Sequence, residues 1–154
     1  MGEILQSLKV VCLQRPRNLS PVVIRRNRLI EAIFNQIEAA KAREAGKRHA
    51  IKRTQVVRNK ETGARVEVTR ETSDREGWWT GSDGKLYFEL RYGYKPLEFS
   101  KGKSAVEVGN VQNLVSVLEK LKLAAEAGEF DAQMEGAASR LSEQLKVRKQ
   151  KSHK

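Results

Sequence analysis

The clearest pattern in the chain is helical and follows Ser20. Val22, Leu29, Ile30, Ile33, Phe34, Ile37 and Ala40 recur at steps of three and four, which places them on one apolar stripe of a helix. Ser20 is a good N-cap, and Pro21 sits at the first helical position, where its missing N–H costs nothing. Gly46 predicts the end of that helix. Ahead of it, Ile4, Leu5, Leu8, Val10, Val11 and Leu13 predict a short strand or an extended docking arm. From about residue 51 the period falls to two. Residues 52–58 and 64–71 predict a hairpin, with Gly63 supplying a positive φ angle in its turn. A third strand is expected through Trp78 and Trp79 to a turn at 81–84. Leu86, Phe88, Leu90, Tyr92 and Tyr94 then alternate with Lys85, Tyr87, Glu89 and Arg91, giving one apolar and one polar face. Residues 96–100 are expected to pair with 104–108 across Lys101, Gly102 and Lys103.

After the strands the pattern becomes helical again. Asn110 caps a stripe of Val111, Leu114, Val115, Leu118, Leu121 and Ala125, which Gly128 closes. A weaker helix follows from Asp131, and residues 146–154, which offer no core positions, predict a disordered tail. The class is therefore α+β: an N-terminal helix, an antiparallel sheet of about four to five strands, then one or two C-terminal helices. The expected organisation is a basic arm and helix (1–50), a core of sheet plus helix (51–128), and a weak helix with a basic tail (129–154).

Charge sharpens this picture. The 154 residues fit one compact domain, yet 30 Lys and Arg face only 19 Asp and Glu, a net charge of +11. Residues 1–60 hold fourteen basic and four acidic side chains, whereas 61–110 hold eight and nine, so nearly the whole excess lies in the first sixty. Such an excess repels itself in a compact state and points to an anionic partner. A single cysteine, Cys12, allows no internal disulfide and is read as a small apolar filler in a protein of a reducing compartment. The first residues lack the basic-then-apolar order of a signal peptide, and Gln6 stands where a myristoylation signal wants Ser or Thr. No apolar run approaches the roughly 18 residues of a membrane span. A cytoplasmic protein is expected.

Candidate chemistry is sparse. Catalysis needs convergent acids, bases or a nucleophile. His49 sits in the basic run Lys47-Arg48-His49 and His153 in the tail, and both read as solvated. One cysteine and two distant histidines make no zinc site, and no glycine-rich phosphate loop is present, so no enzyme, metal or cofactor is expected. Nucleic acid is better served. Phosphates need Lys and Arg gathered near one surface, and unpaired bases need aromatic faces to stack on. Trp78, Trp79, Lys85, Tyr87, Arg91, Tyr94, Lys101 and Lys103 offer both, and Arg25 and Arg28 add cations on the polar side of the first helix. Adjacent strand residues face opposite ways, so one of Trp78 and Trp79 belongs to the core.

The run Gly84-Lys85-Leu86-Tyr87-Phe88-Glu89-Leu90-Arg91, followed by Tyr94, by Lys101-Gly102-Lys103-Ser104-Ala105-Val106-Glu107-Val108 and by a capped helix, resembles the single-stranded-DNA-binding domain of the transcriptional positive-coactivator family. The match covers about residues 77–127. It implies a Whirly-like architecture: a curved antiparallel sheet, a following helix and dimerisation through the helices. It also implies nucleic-acid contacts at Lys85, Arg91, Tyr94, Lys101 and Lys103. Ser82-Asp83 stands where that family has an aromatic residue. Taken whole, the chain resembles an uncharacterised family of small proteins of tailed phages and prophages. The carrying features are the Leu-x-x-Leu-Lys start, the Leu-Ser-Pro-Val-Val helix entry, Trp-Trp before the sheet and Lys-Gly-Lys…Glu-Val after it. The expected function is non-enzymatic nucleic-acid binding by a homodimer, with single-stranded DNA favoured and RNA the variant. The alternative is an interaction module that docks on an acidic surface of a host machine such as RNA polymerase, or a virion component.

Overall fold

The computed structural model describes residues 2–15, 18–73, 75–93 and 95–151. The fold is α+β, with helices at both ends of a set of antiparallel strands. Its longest N-terminal element starts as the sequence predicts. The Ser20 hydroxyl accepts the Val23 N–H at 3.3 Å, and helix α2 (Pro21–Glu44) follows, stopping just ahead of Gly46. Leu29, Ile33, Ile37 and Ala40 form its buried stripe. Val22 and Phe34, expected on that stripe, are exposed, and Lys122 from a neighbouring helix lies over the Phe34 ring at 5.7 Å.

The arm before α2 holds one helical turn, α1 (Glu3–Gln6), where a strand or extended arm was expected. The rest of it has no regular structure among the described residues. Its apolar side chains and Cys12 are exposed, so Cys12 is no core filler.

Strands β1 (Ile51–Arg58) and β2 (Arg65–Thr72) pair in register from Ile51–Thr72 to Arg58–Arg65. Gly63, with φ 70°, closes the turn between them. They form a sheet of their own. A second sheet has the order β3 (Trp78–Thr80), β4 (Leu86–Glu89), β7 (Ala105–Gly109), and a third pairs β5 (Arg91–Tyr92) with β6 (Lys95–Pro96). The antiparallel strands are thus divided among three small sheets. The pairing of 96–100 with 104–108 reduces to one bridge, Ser100–Lys103. Residues 105–109 pair with β4 instead, which brings Val106 opposite the fully buried Phe88. Val108, two residues on, shares that face and is buried as well, and a register shift beside Leu86 sets Gly109 opposite Leu86.

Asn110 accepts the Asn113 N–H at 3.1 Å, and a 3-10 turn (Val111–Asn113) leads into α3 (Leu114–Glu126). Leu114, Leu118 and Ala125 bury its inner side. Helix α4 (Asp131–Lys151) runs well into the segment expected to be a disordered tail. Side chains from α2, the three-stranded sheet, α3 and the start of α4 meet in one core around Ile33, Phe88, Leu118 and Met134. Gly77 shows how closely these parts approach. A Cβ there would stand 2.8 Å from the Glu89 carbonyl and from the Phe88 ring, so any larger residue must displace the strand.

Candidate nucleic-acid interface

The three-stranded sheet turns one face to the core and leaves the other open. Trp78 lies opposite Phe88, and Trp79 opposite Tyr87. Trp78 is 7% exposed and belongs to the core, whereas Trp79 is 42% exposed on the open face. Of the two predicted tryptophans, therefore, Trp79 is the one that offers a ring to a base. It stacks on Tyr87, with centroids 6.1 Å apart and planes at 30°. Tyr87 is fixed in turn, because its hydroxyl donates to Asp83 at 2.5 Å, and Asp83 also accepts the Lys85 N–H at 3.1 Å. The Tyr87 hydroxyl, and after it that backbone N–H, hold the Asp83 carboxyl below its ordinary range. The same side-chain bond pushes the Tyr87 phenol up.

The cations of this face are already engaged. Lys85 donates to Glu107 at 2.8 Å, which raises its ammonium above the usual value, and Arg91 donates to Glu89 at 2.8 Å. Lys85 and Arg91 flank opposite ends of the four-residue β4, so they do not form one cluster. Lys101 and Lys103 are exposed on the turn that precedes β7. Tyr94 lies outside the described residues. Arg28 is exposed and Arg25 half-buried, both on α2 and not on the sheet. The predicted set is therefore not one cluster. The sheet contributes an aromatic platform bordered by Asp83, Glu89 and Glu107, which leaves little net attraction for phosphate.

Further exposed positive charge lies beyond the sheet, in residues not among the predicted site residues. Lys47 and Arg48 follow α2, and Arg58, Lys60, Arg65 and Arg70 lie on the β1–β2 ribbon. All six are exposed and in no ion pair among the described residues. Of the sixteen strand residues in the ribbon, only Ile51 and Val68 are even half-buried. One face of the ribbon carries Arg53, Gln55 and Val57 opposite Arg70, Val68 and Val66, with no acid among its strand residues. The other carries Lys52 paired with Glu71, then Val56 opposite Glu67 and Arg58 opposite Arg65. The ribbon's root is tied down. Gln36 on α2 accepts the Gly77 N–H at 2.9 Å and donates to the Arg75 carbonyl at 3.0 Å, while Arg43 pairs with Glu76 and Arg48 donates to Ser73.

Comparison with known proteins supplies a family. One described as a family of unknown function, DUF6641, matches residues 3–134. The chain belongs to DUF6641. No curated protein and no solved structure matches it. The span shared with DUF6641 takes in α2, the ribbon, all three sheets, α3 and the first turn of α4, and so includes every candidate cation and aromatic named above.

Other features of this DUF6641 chain bear on chemistry. An open-sided cavity of about 400 Å³ lies between α4 and the β5–β6 pair, lined by Tyr92, Leu97, Gln133, Ala137, Arg140 and Leu141. The Gln133 side-chain amide oxygen is buried without a hydrogen-bond partner among the described residues. His49, expected to be solvated, is half-buried, with Nε2 enclosed and without a hydrogen-bond partner among the described residues. His153 lies outside the described residues. Among those described, no group of three or more His, Cys, Asp or Glu side chains could hold a metal ion, and no helix is long and apolar enough to cross a membrane.

Proposed function

We propose that this protein binds nucleic acid and catalyses no reaction of its own. The observation that carries the reading is the set of exposed cations from α2 to the ribbon that form no ion pair among the described residues: Arg28, Lys47, Arg48, Arg58 and Lys60 lie among the first sixty residues, where the net charge is +10. Attraction to phosphate comes from this half of the molecule, through release of condensed counterions. The sheet supplies the second element. Trp79, backed by Tyr87, is an exposed ring on which an unpaired base can stack, and such stacking contributes about 1–3 kcal/mol per base. Single-stranded DNA is the favoured ligand. The likeness of residues 77–127 to a single-strand-binding domain supports the same ligand and a homodimer, and the likeness to phage proteins supports action in the cytoplasm of a bacterial host.

Fluorescence anisotropy with single-stranded and duplex oligonucleotides at two salt concentrations tests this directly. Affinity should fall steeply with salt, and Trp79→Ala should weaken single-strand binding about fivefold or more at fixed salt. Absent binding, or binding indifferent to salt, would reject the reading. The exposed apolar arm (Ile4, Leu5, Leu8, Val10, Val11 and Leu13) favours a second reading, a module that docks on a host protein or within a virion. On that reading, a protein partner is retained after nuclease treatment and lost when residues 2–13 are removed.

A further inference from the structure

The β1–β2 ribbon adds almost nothing to the core, and its free state is costly. A two-stranded ribbon standing alone is marginal in water, and both of its strands are unpaired edges. Val56 is 58% exposed and Val66 47%. The register adds a further cost, since Arg58 stands opposite Arg65, and like charges directly opposed across a strand pair are destabilising. A partner that neutralises those arginines and covers the valines accounts for both features.

The geometry points to a duplex-DNA-reading arm: the ribbon enters the major groove with its acid-free face toward the base edges. The inference rests on the nucleic-acid reading above but concerns a different element and a different form of ligand from the Trp79 platform. Dimensions permit the insertion. Two strands about 4.8 Å apart, with their side chains, match a groove about 12 Å wide, and eight residues extend about 26 Å. The chemistry fits as well. An arginine presents paired donors to guanine O6 and N7, a glutamine reads adenine N6 and N7, and small apolar groups meet the thymine methyl. Arg70, Gln55, Val57 and Val66 supply those groups on one face. Arg58, Lys60 and Arg65 gather at the tip, within reach of phosphates at the groove's edge. The major groove of an RNA duplex is too narrow for side chains to read, which makes DNA the ligand. The ties from Gln36, Arg43 and Arg48 to the ribbon's root aim the arm from a fixed base.

Two measurements on the full chain decide the matter. In anisotropy titrations, the double variant Arg65→Thr with Arg70→Thr should lose about tenfold or more in affinity for mixed-sequence duplex DNA, while its affinity for a single strand falls less than threefold. Dimethyl sulfate, which methylates guanine N7 in the major groove, provides a readout on the unaltered protein: bound duplex should show protected N7 positions. Unchanged duplex affinity in a folded double variant, or tight duplex binding without N7 protection, would overturn the arm. Equal losses on duplex and single strand would also overturn it, leaving the arginines as general counter-charges. If the unaltered protein binds single strands alone, the arm fails and the single-strand reading stands. If it binds neither, the broader reading fails as well.

Discussion

A single hydrogen bond organises the open face of the sheet at the scale of the residue. Tyr87 donates to Asp83, and the bond moves both groups away from their ordinary titration, the carboxyl down and the phenol up. Because the folded pKa of Asp83 lies below its unfolded value of about 3.9, its contribution to stability is present above that pH and is lost as pH falls through the folded value. Tyr87 behaves in the opposite sense. Its contribution holds below an unfolded value of about 10 and is lost as pH rises through the higher folded one. The turn is therefore intact across the neutral range. Asp83→Asn should return the Tyr87 phenol toward its ordinary range in an ultraviolet titration, whereas an identical midpoint in variant and parent would mean that the bond does not form in solution. Little of this pair was legible in the sequence. Alternation puts Tyr87 on the polar side and sets the two tryptophans on opposite sides. Which tryptophan faces inward is decided by Trp78 lying opposite Phe88, a fact of strand register that no local pattern contains.

For whole elements, local signals fared better than pairings. Helix α2 begins at its Ser-Pro entry, and the hairpin appears where its period and Gly63 predict, because both depend on neighbours in the chain. The pairing of β7 was missed because it depends on the core. Residues 96–100 are closer in sequence, but β4 already carries Phe88 and offers Val106 and Val108 a buried surface. Helix α4 extends further than its apolar pattern predicts for a related reason. Past Gly136 it holds Leu, Gln, Glu, Lys and Arg with no Gly or Pro, which sustains a helix by propensity even where no residue is buried. The ribbon was located but not understood, since its exposure on both faces is a tertiary fact. That exposure has a consequence for folding. Replacing residues 53–70 by Asn-Gly should leave a folded protein whose Tm lies within a few degrees of the parent's, because no buried side chain is removed. A collapse of the thermal transition would instead make the ribbon part of the folding unit.

At the level of the whole molecule, salt should act with opposite signs on folding and on binding. The net charge of +11 is concentrated in the first sixty residues, with cations opposed to cations across the ribbon. Raising salt from about 0.1 M to about 1 M shortens the screening length from about 10 Å to about 3 Å, which weakens repulsion between exposed charges more than it weakens burial of the core. The Tm of the free protein should therefore rise over that range. Ion pairs such as Lys85–Glu107 and Arg43–Glu76 lose strength at the same time, but exposed pairs contribute little. Binding responds in the other direction, because each neutralised phosphate of a duplex contributes about 0.9 to the slope of log affinity against log salt. Removing Arg65 and Arg70 should thus lower the duplex slope by about 1, since Arg65 reaches phosphate while Arg70 meets base edges, and should raise the low-salt Tm by relieving the opposition of Arg65 to Arg58. Calorimetry and anisotropy on the same two proteins measure both quantities. A variant that gains stability while losing slope identifies charge held for a partner at the expense of the free fold, whereas one that loses both would show that these arginines are bound up in the protein itself.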